Sequence, residues 1–311
     1  MWSDFFTTTA ILATLASAIR LAVPYIFAAI GETFGQRSGV LNLGVDGIML
    51  MGAFGAYYTI LEVGSPWLGI AVGLSVGALM GVGMAYITVN LQAEQGISGI
   101  GVFLFGLGFS DLLFQKLVGT PVPIGGFGKF ELPLLGQLGR IGEEIFTQSI
   151  VVYAAFLLIP AAAFVLNRTT VGLNIRAVGE NPEAADTLGV SVARVRYGTI
   201  ITGSAFAGLA GAALAVELGI FQQNLTNGQG FIAVALVYFG AWRPIGVLGG
   251  AMLYGLVAAL VLQWKTLGII PQSASDIAAM APALITILAL VIVGQRQRAP
   301  AALTKPYERG A

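Results

Sequence analysis

Residues 66–91 read PWLGIAVGLSVGALMGVGMAYITVNL, a run without a single Asp, Glu, Lys or Arg. As a helix rising about 1.5 Å per residue, it is longer than the ~30 Å hydrocarbon core of a bilayer. Gly73, Gly77 and Gly81 recur every four residues and so line one face, where small residues let membrane helices approach closely. Eight further apolar runs flank it: 10–30 with Arg20 inside, 40–61, 96–117, 149–166, 197–218, 231–242, 244–264 and 276–294. These predict an all-α integral membrane protein with about nine transmembrane helices. The runs are continuous and lack the ten-residue alternation of a membrane β-barrel. Run 231–242 is short and reads as a half-helix or re-entrant arm. Gly203, Ala207 and Gly211 form a second small-residue ridge. Such ridges serve helix packing in any multi-span protein and say little about function.

The composition agrees. Apolar residues make up 57% of the 311 positions and charged residues 10%, too few to cover a soluble surface. An ordinary cytosolic enzyme and a disordered chain are both excluded. With 15 basic and 15 acidic side chains there is no net basic field to attract nucleic acid. Cysteine and histidine are absent, which removes disulfides, thiolate nucleophiles, imidazole bases and His/Cys metal sites.

Positive charge sets an expected orientation. Loop 168–196 carries Arg168, Arg176, Arg194 and Arg196, and tail 295–311 carries Arg296, Arg298, Lys305 and Arg309. The positive-inside rule places both in the cytoplasm. Four runs lie between them, an even number, and the parity survives if the seventh and eighth form one hairpin. Counting back puts residues 31–39, with Arg37, inside and loop 119–148 outside. The N-terminus then lies outside, in keeping with Asp4 and the lack of a side-chain cation in residues 1–10. The first run has no basic leader, so no cleavable signal peptide is expected. Residues 1–311 read as one transmembrane domain. Loop 119–148, with Lys129, Glu131, Arg140, Glu143 and Glu144, is a surface loop or a docking surface for an external partner.

Nucleotide motifs are missing. Gly128-Lys129 has Pro123 where a phosphate loop needs glycine and no following Ser or Thr. Gly106-Leu107-Gly108 meets Asp111 where a dinucleotide motif needs glycine. ATP hydrolysis by this chain is not expected, and neither is a bound cofactor. Four ionisable residues stand out in or near the runs, and charge there points to function. Asp46 suits a cap near a helix start or a pathway role. Glu217, near the end of its run, can snorkel to water. Asp111 lies toward the outer rim, and Arg20 lies deeper without an obvious partner.

The loop 168–196 is the most informative stretch. Asn181-Pro182-Glu183 is a helix start, with Asn as cap, Pro at the first position and Glu in the first turn. The helix runs through Ala184, Ala185, Asp186, Thr187 and Leu188 until Gly189 stops it, and a second start follows at Ser191. A tidy connector and a docking knob for a cytoplasmic partner both fit.

Three motifs carry a resemblance. Glu180-Asn181-Pro182-Glu183-Ala184-Ala185 with Gly189-Val190-Ser191 resembles the coupling segment of ABC-importer permeases of the branched-chain amino acid, ribose and nucleoside superfamily. Ser38-Gly39-Val40-Leu41-Asn42-Leu43-Gly44-Val45-Asp46-Gly47 is similar to the nucleoside and simple-sugar permease signature. Phe239-Gly240-Ala241-Trp242-Arg243-Pro244, with Gly246 and Gly249-Gly250, resembles the glycine-rich turn late in those proteins. The likeness spans residues 15–294, without the extra N-terminal helix of ribose-type permeases. It implies a type II ABC-importer-like bundle in a bacterial inner membrane. Glu180, Asn181, Pro182, Glu183, Ala184, Ala185, Asp186, Leu188 and Gly189 would couple it to an ATPase.

The implied partners are a second, often unlike permease subunit, a tandem-domain ABC ATPase that holds ATP and Mg, and an external substrate-binding lipoprotein. The implied substrate is a nucleoside or simple sugar. Candidate pathway residues are Asn42, Asp46, Phe103, Phe105, Phe109, Gln222, Asn224 and Trp242, with Gln223 and Asn227 beside them. Lipid-facing packing accounts for the aromatics equally well. A secondary transporter or channel is the alternative, but it needs paired intramembrane carboxylates or a selectivity ring. An intramembrane enzyme lacks the chemistry.

Overall fold

Long apolar runs become long helices in the computed structural model, which describes residues 7–131, 139–294 and 298–308. Helix α1 spans Thr8–Arg37 and α2 spans Val45–Val63, which Gly64 ends at φ +74°. Ser65 and Pro66 open α3, Pro66–Ala85, which continues into a π-helical turn, Tyr86–Asn90. Glu94 caps α4, Gln95–Leu117: its carboxylate accepts from the N–H groups of Ile97 and Gly96, which hold its pKa below the usual value. The connection after α4 contains β1, Lys129–Glu131, α5, Gly139–Ile145, and β2, Thr147–Ser149. The strands pair antiparallel with Phe130 opposite Gln148. Then follow α6, Ile150–Arg168, α7, Thr170–Glu180, α8, Pro182–Thr187, and α9, Val192–Leu218. After a non-helical stretch come α10, Gln229–Phe239, and α11, Pro244–Thr266. A 3-10 turn, Gln272–Ala274, leads into α12, Ser275–Ala279, and α13, Ala281–Gly294.

Among the described residues, 7 helical stretches are long and apolar enough to cross a membrane, rather than the expected nine. The two shortfalls have different causes. Helix α2 has 19 residues but includes Asp46 and Glu62. Helix α10 has 11 residues, about 16 Å, half of a bilayer core. The second run also begins later than expected, because Gly39 takes φ +91° and the Asn42 side chain accepts from the Gly44 N–H at 2.8 Å, which holds residues 39–44 in a turn. Asp4, Arg296 and Arg309 lie outside the described residues.

Helices α1 and α9 form the centre. In each, 61% of the apolar stretch is buried, against 11% for the last stretch, Gln272–Val291. Without a hydrophobic drive between helices in lipid, association depends on close packing. Helix α9 provides it on two faces. Gly203 meets the backbone of Gly31 on α1 and Gly211 that of Met49 on α2. Ser204, Gly208 and Ala212 receive the Gly73, Gly77 and Gly81 ridge of α3. The expected ridges are both buried, and the second α9 ridge at 204, 208 and 212 completes the three-helix contact.

Candidate functional site

Between α9 and α10, residues 219–228 run without helix. Asn224, Asn227 and Gly228 take positive φ, 53°, 43° and 84°, a conformation that asparagine and glycine tolerate. Helix α2 measures the path of this stretch. At one end the Phe221 ring lies 5.5 Å from Phe54, 5.8 Å from Tyr57 and 5.3 Å from Phe114. At the other, the Thr226 hydroxyl and the Gly230 N–H donate to the two carboxylate oxygens of Asp46, at 3.0 and 2.7 Å. Phe54 and Asp46 are eight residues apart, about 12 Å along the helix. The stretch therefore descends alongside α2 with irregular backbone, and α10 takes over below it. Phe221, Leu225 and Thr226 are buried against the bundle, while Gln222, Gln223, Asn224 and Asn227 are exposed.

Asp46 is buried and acts as a cap, but of α10 rather than of its own helix. A chain of buried polar groups continues from α2 toward the far end of α10. Asn42 donates its N–H to Glu32 at 3.0 Å, and Gln36 donates to the same carboxylate at 3.1 Å. The Trp242 indole N–H donates to Gln36 at 2.8 Å, and Arg37 donates to the Trp242 carbonyl at 3.0 Å. A second feature is a cavity of about 540 Å³, in the size range of small-molecule sites. Arg20, Ser149, Glu217 and Lys265 line it, as do Tyr25 and Tyr254, whose rings lie 4.4 Å apart. Gln229, at the start of α10, also lines it, with a buried Oε1 that has no hydrogen-bond partner. Arg20, for which the sequence offers no obvious partner, sits 3.8 Å from Glu217.

The pathway candidates are thus partly assembled. Asn42, Asp46, Gln222 and Asn224 belong to the α2 and 219–228 region, and Phe103 joins it through an edge contact of 5.1 Å with Phe231 on α10. Phe105 and Phe109 stack on each other at 5.2 Å on the exposed face of α4. Trp242 is buried at the opposite end of α10. Gln36, Ser204 and Thr226 were missed because their partners Trp242, Asn42 and Asp46 are distant in sequence; Glu32 was missed although its partners Gln36 and Asn42 lie only four and ten positions away.

At the other pole the loop 168–196 is built from two helices. Helix α7 is the addition: Thr169 caps it by accepting from the Gly172 N–H, and its buried face carries Gly172, Ile175, Val178 and Gly179. The following helix α8 is laid out as read. Asn181 accepts from the Ala184 N–H at 3.0 Å, and Gly189 ends the loop helix at φ +87°. Ala185 anchors it in a small cluster with Val178 and Val192, against which Tyr307 packs. Glu180, Asn181, Glu183, Ala184, Leu188 and Gly189 are exposed, and Pro182 and Asp186 are half-buried. The tail returns beneath this loop. Ala302 donates its N–H to the Gly179 carbonyl at 2.9 Å, and Thr304 to that of Gly39 at 3.1 Å.

A family model described as "Branched-chain amino acid transport system / permease component" matches residues 14–293. The putative glucose ABC transporter permease protein TsgC13 of Haloferax volcanii is 38% identical over 82% of this chain and 78% of its own length. The guanosine ABC transporter permease protein NupQ of Bacillus subtilis is 35% identical over 93% of this chain and 94% of its own. The nucleoside ABC transporter permease protein NupC of Lactococcus lactis subsp. cremoris is 34% identical over the same shares, 93% and 94%. No solved structure matches the chain. The match over nearly the whole transmembrane bundle places the chain in the branched-chain amino acid transport system permease family, as a permease subunit of an ABC transporter.

Proposed function

We propose that the chain imports a nucleoside, with simple sugars as the second reading. The observation that carries it is the near full-length similarity to two nucleoside permeases, and the 38% identical putative glucose permease keeps sugars in view. Non-helical backbone at membrane depth is tolerated only where protein buries it or a watery cavity meets it. The amides of Gln222, Gln223 and Asn224 project from such backbone, so they face the pore rather than lipid. Broken spans of this kind place substrate sites in transporters. The 540 Å³ cavity has room for a nucleoside, its tyrosines suit a planar base, and its polar groups suit hydroxyls. The pore is completed by a second, unlike permease; ATP and Mg sit on a tandem ABC ATPase; and an external lipoprotein delivers substrate. The test is reconstitution of the complex. ATP-driven uptake of guanosine is expected, with no ATP hydrolysis by this chain alone. Uptake driven only by an ion gradient would overturn the reading.

Nine crossings follow if α2 and the 219–239 stretch each count as one, the latter half irregular and half helical. The N-terminus is then outside and the tail in the cytoplasm of a bacterial inner membrane. Two observations support this orientation. The Arg-bearing tail touches Gly39 and the end of α7, so both basic segments share one pole. Residues 122–124 pack on Tyr57 and Gly219, the opposite ends of α2 and α9. Because the chain lacks cysteine, single cysteines replacing Lys129, Arg176 and Arg298 test the orientation cleanly. Impermeant thiol reagents applied to intact cells should label the first position and spare the other two. Labelling at 176 would reverse the assignment.

A further inference from the structure

Packing alone does not account for Arg196. It is 3% exposed, and its Nε and Nη2 are buried without a hydrogen-bond partner. The ion pair found among the described residues, Arg20–Glu217, does not involve it. A guanidinium stays charged in proteins, and a buried charge without a counter-charge is strongly unfavourable. The side chain lines a cavity of about 410 Å³ beside the coupling loop. Arg194 lines the same cavity, as do Ser191, Tyr307 and Thr88. Asp186 borders it on the α8 side and leaves the arginines in excess by one charge. Here the 27-residue helix α9 begins, and Ser191 makes no side-chain bond to it. The opening turn of a helix presents N–H groups and partial positive charge.

We propose that this cavity binds a phosphate-bearing anion. The donor set is that of an oxyanion site: a buried guanidinium without a counter-charge at the wall, a second arginine, a hydroxyl and a helix start. The volume exceeds a phosphate group and accepts a phosphomonoester. Asp186 and Gly189 belong to the coupling loop, so an occupied site ties the end of α8 to α9. A soluble phosphate compound and an anionic lipid headgroup share this chemistry. The site stands apart from the pathway and does not depend on which solute is carried.

The test uses the full chain in its assembled transporter. In detergent, inorganic phosphate is titrated against chloride at matched ionic strength while the melting temperature is followed. A saturable rise with phosphate is expected, abolished by Arg196→Met and unchanged by Arg168→Gln. Arg194→Gln should weaken half-saturation about tenfold, the effect of losing one charge-assisted hydrogen bond. It also keeps the proposal testable if Arg196→Met does not fold. Phosphatidylglycerol nanodiscs, compared with phosphatidylcholine ones, separate the sources. A rise without added phosphate that Arg194→Gln diminishes assigns the lipid headgroup, and a rise only on adding phosphate assigns the soluble ion. A phosphate response no larger than that of chloride, or equal in wild type and Arg194→Gln, would overturn the proposal.

Discussion

Gly208→Leu is expected to destabilise the bundle severely. A Cβ at Gly208 would overlap the carbonyl of Gly73 and lie 2.7 Å from Cα and 2.9 Å from N of Gly77. Gly52 on α2 presses on Gly208 in turn, so α2, α3 and α9 converge on one point of backbone. No side chain there can rotate aside, and the helices themselves must separate. Overpacking ordinarily costs about 1–3 kcal/mol through shifted side chains. Contact with the rigid backbone of α3 at both Gly73 and Gly77 puts this variant at or beyond the top of that range, a large fraction of a typical stability of ~5–15 kcal/mol. The matched controls are Gly83→Ala on α3 and Gly101→Ala on α4, where an added Cβ meets nothing within 4 Å. Those should gain up to about 1 kcal/mol of helix propensity. Size-exclusion profiles and melting temperatures in detergent report both effects. A Gly208→Leu protein that melts with the controls would show that the three-helix contact is not as close as described.

What could be read from sequence follows from the range of the interactions involved. Long apolar runs specify helices by themselves, so α3, α4, α6 and α11 lie where their runs lie, and α9 extends its run back to the start read at Ser191. The loop helix α8 was legible for the same reason, because Asn181, Pro182 and Gly189 act within a few residues. Helix α7 carried a local signal in Thr169 and the Gly172, Ile175, Val178 spacing, but its short amphipathic run was passed over among longer apolar ones. The pairings were out of reach. Gly230 is 184 positions from Asp46, and Trp242 is 206 from Gln36. A carboxylate at the start of one helix reads as that helix's own cap until the fold brings another helix start against it. The short seventh run is intermediate: its shortness was visible, but only the contacts with Phe54 and Asp46 place residues 219–228 alongside α2.

Glu183→Arg is expected to uncouple the transporter while leaving the bundle intact. Helix α8 has an inward and an outward side. Ala185, 2% exposed, holds it to Val178 and Val192, whereas Glu183, Ala184, Thr187 and Leu188 face out. Leu188 is 85% exposed in a loop between charged residues. An apolar anchor beside a carboxylate on a short rigid helix suits a partner cleft with basic groups at its rim. The half-buried Asp186 turns toward the neighbouring cavity, so Glu180 and Glu183 make up the acidic edge of the exposed side. Reversing the charge at 183 touches no membrane-facing residue, and exposed substitutions usually change stability by within about 0.5 kcal/mol. Insertion and melting temperature should match wild type. Association with the ATPase and substrate-stimulated hydrolysis should fall about tenfold or more, the size expected when a rim attraction becomes a repulsion of ~1.4 kcal/mol or more. Ala184→Trp, which adds bulk on the same side, should act in the same way through shape rather than charge. Ala185→Trp is the contrast: it displaces the helix from its own seat and should lower the melting temperature as well. Wild-type assembly and uptake in both Glu183→Arg and Ala184→Trp would reduce α8 to a connector, and the coupling role would be withdrawn.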